Sequence, residues 1–325
     1  MKIYKNKKIL VTGGAGFIGS HFVKRMVNLG AKVTVTVKYN SIIDYPRLIS
    51  VKDKIDIIEC DLRNTDSLKI FSKKNFEKIF HFAAYNHVGD SFNHVTENIS
   101  SNLLSTVNLL NSGPKFKKFI HIGSSEIYGF QSKIPFNPIN TPNPMSPYAI
   151  TKYASELFSI MNSKYSKKDI LCLRPFNTFG PYQSEKAIIP EIILNCLQNK
   201  LIKTTQGLQT REFNYITNII DGIILLDNKI KNRIDPINIG SNNPIKISEL
   251  VRKIHKFTNS KSLLKIGALK YRPNEIWKMQ ANNKFILSKG WKPRNSLDMG
   301  LKETINWYKL FLKIYFNNLI SLKNL

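Results

Sequence analysis

Tyr148 and Lys152 lie four residues apart in Ser146-Pro147-Tyr148-Ala149-Ile150-Thr151-Lys152. At the start of a predicted helix that spacing turns both side chains to one side. A phenol with its ordinary pKa of about 10 is a poor base at neutral pH, and a neighbouring ammonium favours the phenolate. Such a pair can take a proton from an alcohol as hydride leaves the same carbon. The YxxxK spacing is common by chance, so its weight depends on what surrounds it.

Hydride chemistry needs an acceptor, and a second motif supplies a place for one. Thr12-Gly13-Gly14-Ala15-Gly16-Phe17-Ile18-Gly19 follows a predicted strand and opens a predicted helix. In that context glycines let the backbone turn tightly and approach a pyrophosphate, whose charge sits at the helix N-terminus. The expected cofactor is a dinucleotide, NAD or NADP, whose cationic nicotinamide would further favour a Tyr148 phenolate. An acid about 20 residues past the loop would bond the ribose hydroxyls of NAD. The second strand ends instead in Val37-Lys38-Tyr39-Asn40. Lys38 suits a 2′-phosphate as well as it suits a solvated strand end, so NAD and NADP both stay open.

These groups need a rigid frame. Apolar, β-branched runs at 8–12, 32–37, 56–60, 78–82, 119–123 and 170–174 alternate with amphipathic segments at 17–29, 66–71, 97–111 and 149–165. That alternation predicts an α/β fold, a doubly wound parallel sheet of Rossmann type. Past Pro181 the alternation loosens into helices at 188–198, 247–257 and 299–311. The expected organisation is a dinucleotide-binding domain over 1–182 and a smaller, mostly helical substrate lobe over 183–325. The run 235–240 reads as a buried strand, so the chain is expected to rejoin the first sheet by about 212–240.

Composition sets further bounds. With 325 residues, 42% hydrophobic and 22% charged, the chain has ordinary globular composition. Cys60, Cys172 and Cys196 form no CxxC or Cys/His pattern, so no metal site and no disulfide framework is expected, and a reducing cytoplasm fits. The basic start is broken by glycines and does not read as a signal peptide. A net charge of +27 comes from scattered lysines rather than one stripe, so no specific nucleic-acid partner is expected.

The glycine spacing, with Thr12 ahead of it, resembles the extended short-chain dehydrogenase/reductase family, the NAD-dependent epimerases and dehydratases of nucleotide sugars. The resemblance continues in order along residues 7 to 310. It implies cofactor contacts from Gly13, Gly16, Phe17, Ile18 and Gly19, from Asp61-Leu62 on the adenine side, from the turn His81-Phe82-Ala83-Ala84, and from Tyr148 and Lys152. Asn102 falls where the family has an Asn that stabilises the sheet beside the cofactor. Ser124 matches the hydroxyl that bonds the reacting sugar oxygen. The triplet Ser124-Ser125-Glu126 resembles the Thr-Ser-Glu of GDP-mannose 4,6-dehydratases and nucleotide-uronate decarboxylases. In a dehydratase the carboxylate removes the carbon 5 proton, made acidic by a transient ketone at carbon 4, so that water leaves carbon 6. The dTDP-glucose 4,6-dehydratases carry Asp-Glu there. With Ser125 in the Asp position, the leaving hydroxyl would take its proton from Glu126 through Ser125 or a water, which argues against dTDP-glucose as substrate.

On the substrate side, Arg174-Pro175-Phe176-Asn177-Thr178-Phe179-Gly180-Pro181 is similar to the family's RxxNxxGP segment, and implies that Asn177 contacts the substrate diphosphate. Arg211, in Thr210-Arg211-Glu212-Phe213, and Arg272, in Tyr271-Arg272-Pro273, fall where relatives place two diphosphate-binding arginines, a task suited to guanidinium forks. Taken together the resemblance implies a cytoplasmic nucleotide-sugar 4,6-dehydratase, a lyase with a tightly bound NAD or NADP regenerated in each cycle. A 4-epimerase, a uronate decarboxylase and a non-catalytic NAD(P)-binding scaffold are the alternatives. Relatives pair through a helix bundle that includes the Tyr148 helix, which implies a homodimer. The apolar, basic tail from Phe311 to Leu325 is expected to pack on its own lobe or a second subunit, with an anionic membrane surface as the alternative.

Overall fold

A computed structural model of the chain describes residues 3–38, 46–272 and 275–323, except for the side chains of 315–323. Tyr39, Asn40 and Pro273 lie outside the described residues, as does the last part of the tail. The chain divides into two compact units, one formed by residues 1–176, 219–239 and 281–291 and the other by 177–218, 240–280 and 292–325.

The first unit is built on seven strands: β1 (Lys8–Thr12), β2 (Lys32–Val37), β3 (Ile55–Glu59), β4 (Asn75–His81), β5 (Lys115–Ile122), β6 (Asp169–Pro175) and β7 (Ile237–Ile239). Their order is β7-β6-β5-β4-β1-β2-β3, and every neighbouring pair is parallel. Parallel strands are covered on both faces and therefore read as unbroken apolar runs. Ile9, Leu10 and Val11 of β1 are all fully buried. On one face Leu10, Ile58, Leu68, Phe71, Phe119 and Ile170 share a core cluster. On the other, Phe22 of helix α1 (Phe17–Asn28) packs on Phe80 with ring centroids 4.3 Å apart. The strand order reverses between β1 and β4, and a crevice outside the carboxyl ends of strands at such a switch point is where open α/β sheets bind ligands. β7 falls within the expected 235–240 run and pairs with β6.

Two predicted helices differ, and the one expected over 66–71 is a helical turn, Thr65–Leu68, continued by a 3₁₀ turn, Lys69–Phe71. The segment expected as a single helix over 97–111 is instead Val95–Asn98, a π-helical stretch Ile99–Leu104 and then α2 (Ser105–Ser112). Here Ser105 Oγ donates to the Ser101 carbonyl at 2.5 Å and Thr106 Oγ1 to the Asn102 carbonyl at 2.7 Å. Side chains that back-bond to the preceding turn loosen a helix locally, and π-bulges gather at functional sites. Asn102, inside the stretch, sends its own side chain elsewhere.

Helix α3 (Pro147–Tyr165) starts at a well-made cap: Ser146 Oγ accepts from the Ala149 amide at 3.1 Å, with Pro147 in the first turn. The second unit holds the helices Ile188–Leu197, Ile247–Thr258 and Leu297–Lys323. It also contains short strands that the mostly helical expectation missed. Thr210–Glu212 pairs with Pro244–Lys246 and Lys278–Met279; segments of two or three residues are too short to show a period of two. The last helix runs past the expected 299–311, and Phe311 stacks on Trp307 with centroids 5.3 Å apart. Among the described residues no helix is long and apolar enough to cross a membrane.

Candidate active site

The loop after β1 forms a cradle that only glycine permits. Gly13 has φ +66°, and a Cβ there would lie 2.6 Å from the Ala83 amide nitrogen. A Cβ on Gly19 would lie 2.2 Å from the Gly13 carbonyl oxygen. The loop is therefore pressed against the turn after β4, and the first turn of α1 is pressed against the loop. Gly16 caps α1 with no side chain, and the first turn of the helix carries no acid. Phe17 and Ile18 follow in that turn with their amides at the positive end of the helix dipole. A backbone cradle and an uncapped helix start suit a pyrophosphate, so the residues present fit a dinucleotide.

Two buried struts hold the loop and turn. Thr12 Oγ1 and His81 Nδ1 lie 2.7 Å apart, and His81 Nε2 lies 2.9 Å from Thr106 Oγ1. Burial, with the Lys152 charge adding to it, depresses His81 to a pKa of about 3, so it stays neutral and serves as a strut. Asn102 Oδ1 accepts from the Tyr85 amide at 2.7 Å, while its Nδ2 donates to Tyr85 O at 3.2 Å and Thr151 Oγ1 at 3.0 Å. Asn102 thus ties the turn holding Ala83 and Ala84 to helix α3, one residue before Lys152. The loosened π stretch leaves that side chain free to reach both.

Tyr148 is partly buried, and its phenol is hydrogen-bonded with Ser124 and feels the negative charge of Glu126. These three groups meet because β5 ends at Ile122 and the chain turns at once into a 3₁₀ segment, Ser125–Tyr128, capped by Ser124 Oγ accepting from the Glu126 amide at 3.1 Å. Ser125 is buried at 2% exposure, whereas Glu126 is partly open. Lys152 is almost fully buried and its Nζ donates to the Ile122 carbonyl at 2.5 Å.

The electrostatics depart from the expected phenolate. Burial pushes the Tyr148 phenol up to about 12; the Ser124 hydrogen bond opposes this and the Glu126 charge adds to it. Lys152 spends its ammonium on the Ile122 carbonyl. In the chain alone the phenol is therefore protonated at neutral pH, and only a cation arriving with a ligand would bring it down. Burial also lowers Lys152, to about 8, against the pull of the Glu156 carboxylate one turn along α3. A lysine is charged below its pKa, so activity that needs the ammonium is full below about pH 8 and falls as pH rises through that value. A pH–rate profile checks this; an alkaline limb near the ordinary 10.5 would show that Lys152 plays no such part.

Lys38 and Asp61 are not isolated. Lys38 Nζ donates to Glu97 Oε1 at 3.2 Å. Arg63 grips Asp61 with Nε at 2.9 Å and Nη2 at 2.7 Å, and reaches Glu97 with Nη1 at 2.8 Å. Leu62 is buried, and its carbonyl accepts from Asn108 Nδ2 at 3.1 Å. In the second unit, Asn177 accepts through its backbone carbonyl from the Asn214 amide at 2.7 Å. Arg211 pairs with Glu275 at 2.8 Å, and the Glu275 amide donates to the Arg272 carbonyl at 3.2 Å, so Glu275 links the segments bearing the two arginines. Arg272 itself is exposed.

Against known families, residues 10–304 match the model of GDP-mannose 4,6 dehydratase. The chain belongs to this family. Its relatives include both dehydratases and epimerases. Human dTDP-D-glucose 4,6-dehydratase is 29% identical over 93% of this chain and 90% of its own length. The UDP-glucuronate 4-epimerase of Thermodesulfobacterium geofontis is 30% identical over 92% of this chain and 95% of its own. Among solved structures, UDP-glucuronic acid 4-epimerase from Bacillus cereus, in complex with UDP-glucuronic acid and NAD, superposes with a TM-score of 0.84 at 28% identity, covering 94% of this chain and 99% of that one.

In this GDP-mannose 4,6-dehydratase family member, two residues that sequence reasoning did not single out sit behind the site. Arg174 makes a buried, two-toothed pair with Glu156, Nε to Oε2 at 3.0 Å and Nη2 to Oε1 at 2.7 Å, and its Nη1 donates to the Tyr128 hydroxyl at 2.8 Å. The pair clamps β6 to α3 directly beneath Lys152. Glu156 follows Lys152 by one helical turn, which was the available signal; that it meets Arg174 was not visible in the order of residues.

Proposed function

We propose that this protein is a nucleotide-sugar 4,6-dehydratase that works with NAD. The observation that carries the reading is Glu126, a carboxylate placed by the turn after β5 in the same cluster as Ser124 and Tyr148, close enough for its charge to act on the phenol. An epimerase needs only the phenol and the cofactor; a dehydratase also needs a carboxylate. NAD, when bound, supplies the acceptor and later the donor of one hydride, so the net reaction is redox-neutral. The glycine cradle and the uncapped α1 would hold it, and the Bacillus cereus relative is solved in complex with NAD. Ser124 orients Tyr148, which, as the phenolate that the cationic nicotinamide of a bound cofactor would favour, accepts the proton of the carbon 4 hydroxyl. Glu126 takes the proton from carbon 5, next to the new ketone, and the carbon 6 hydroxyl leaves as water after protonation through Glu126, with Ser125 beside it. Asn177, Arg211 and Arg272 would serve the substrate diphosphate, with Arg211 exchanging Glu275 for phosphate.

Incubation with UDP-, GDP-, CDP- and dTDP-linked sugars in heavy water tests this by mass spectrometry. The expected product has lost one water and gained one solvent deuterium at carbon 5. The 4-epimerase is the second reading, favoured by the UDP-glucuronate 4-epimerase likeness; it would yield an isobaric product without deuterium. Loss of carbon dioxide would establish the decarboxylase instead.

The partner we propose for the protein surface is a second copy. Ile150, Leu157 and Met161 stand exposed along α3, and Val95, Ile99 and Leu104 stand exposed on the segment packed beside it. Two adjacent helices with apolar outer faces are half of a four-helix bundle. The wild-type protein is expected to sediment as a dimer, and Leu157→Glu with Met161→Glu as a monomer. A monomeric wild type would sink the idea. Three free, buried cysteines accord with a reducing cytoplasm.

A further inference from the structure

A strand end beside the glycine loop decides between the two dinucleotides: an acid there bonds the ribose hydroxyls of NAD, and a cation accommodates the 2′-phosphate of NADP. β2 ends at Val37 and is followed by Lys38, which by itself favours the phosphate. The structure supplies the acid from another element. Glu97, in Val95–Asn98, receives Lys38 Nζ on Oε1 at 3.2 Å and Arg63 Nη1 on Oε2 at 2.8 Å, and Ser101 Oγ also donates to Oε1 at 2.7 Å. Arg63 is further held by both oxygens of Asp61. All four charged side chains are between about a third and a half exposed, at 49% for Lys38, 35% for Glu97, 32% for Arg63 and 31% for Asp61. Among the described residues they form one open cluster of two cations and two anions, with no net charge among the four.

We infer that Glu97, by holding Lys38 and Arg63, makes this chain prefer NAD over NADP. An uncompensated Lys38 and Arg63 would draw a 2′-phosphate. Paired with Glu97, they offer it no net attraction, and its own charge would have to compete with a carboxylate already hydrogen-bonded by three groups. The ribose hydroxyls of NAD bring no charge to oppose, and would donate to the same carboxylates. The inference rests on the proposed dinucleotide site and is independent of whether the chemistry is dehydration or epimerisation.

Equilibrium titration of the purified chain with NAD and with NADP, followed by calorimetry, tests it without any turnover. Before titration, bound dinucleotide is removed and the fold checked by circular dichroism. The wild type is expected to bind NAD at least about tenfold tighter, a difference of ~1.4 kcal/mol. Glu97→Gln leaves the cluster one charge more positive, and should strengthen NADP binding by about tenfold while NAD stays within about threefold. Lys38→Met leaves the cluster one charge more negative and should weaken NADP further, which decides the matter if the Glu97 variant does not fold. Equal or tighter NADP binding by the wild type, or an unchanged NADP to NAD ratio in the folded variants, overturns the inference. Failure to bind either dinucleotide would instead overturn the cofactor site on which it rests.

Discussion

Glu126→Gln is expected to abolish loss of water, reducing the dehydrated product by about 10²–10⁴-fold, the range for removing a positioned general base, while dinucleotide binding is unchanged. The amide keeps the size and the local backbone of the 3₁₀ turn, whose cap is made by the Glu126 amide and Ser124 Oγ rather than by the side chain. What it removes is the carboxylate proposed to take the carbon 5 proton. The oxidation at carbon 4 depends on Tyr148 and should persist, so the variant is expected to accumulate reduced nicotinamide absorbance with substrate bound. Carbon 5 should then acquire no solvent deuterium. Glu126 also raises the phenol's pKa, so the neutral amide should make Tyr148 a little more acidic and shift the acid limb of its half-reaction downward. Full dehydration by this variant would make Glu126 a bystander and move the assignment to the 4-epimerase.

Tyr148→Phe is expected to stop both halves of the reaction. Removing the hydroxyl deletes the proposed proton acceptor, which is hydrogen-bonded with Ser124, and the rate should fall by about 10²–10⁴-fold, with substrate affinity little changed. The loss should appear in kcat rather than KM, because the hydroxyl acts on a proton that moves only in the transition state. The Ser124 hydroxyl loses a partner at a partly buried place, which costs about 1 kcal/mol of stability, too little to unfold the chain. Single-turnover measurement of cofactor reduction separates the two variants: Glu126→Gln should retain it and Tyr148→Phe should lack it. A Tyr148→Phe protein that kept more than about a tenth of the wild-type rate would be inconsistent with general-base catalysis by this residue.

The two variants differ in what could be foreseen for them. That Tyr148 and Lys152 share a helix face follows from their spacing, and Ser124 with Glu126 could be aligned with them through a resemblance. The sign of the phenol's shift could not, because it depends on how deeply the helix start is buried and on where Lys152 points. A lysine four residues away is within reach of a phenol, yet here its ammonium satisfies the Ile122 carbonyl at the end of β5. Burial then governs both groups, raising the tyrosine and lowering the lysine.

Lys38 shows the same limit from the cofactor side. Its position after β2 was legible, and so was the choice it posed between NAD and NADP. Glu97 enters from 59 residues further along, on a segment whose expected single helix is interrupted by a π-helical stretch. No local pattern connects the two. Arg174 was read only as part of a motif, and the structure makes it the buried partner of Glu156, at 4% side-chain exposure.

By itself the sequence determined the alternating sheet and helices, the glycine cradle and the Tyr148–Lys152 pair, because each arises within a single strand, turn or helix. Strands buried on both faces must be apolar throughout, a tight approach to backbone admits only glycine, and helical geometry turns residues four apart to one side. Tertiary structure alone decided which charges face one another and which groups lose their water: Glu97 on Lys38 and Arg63, Glu156 on Arg174, and the shifted Tyr148 and Lys152. Electrostatic energies depend on distance and local dielectric, and both come into being only when elements far apart in the chain are packed together.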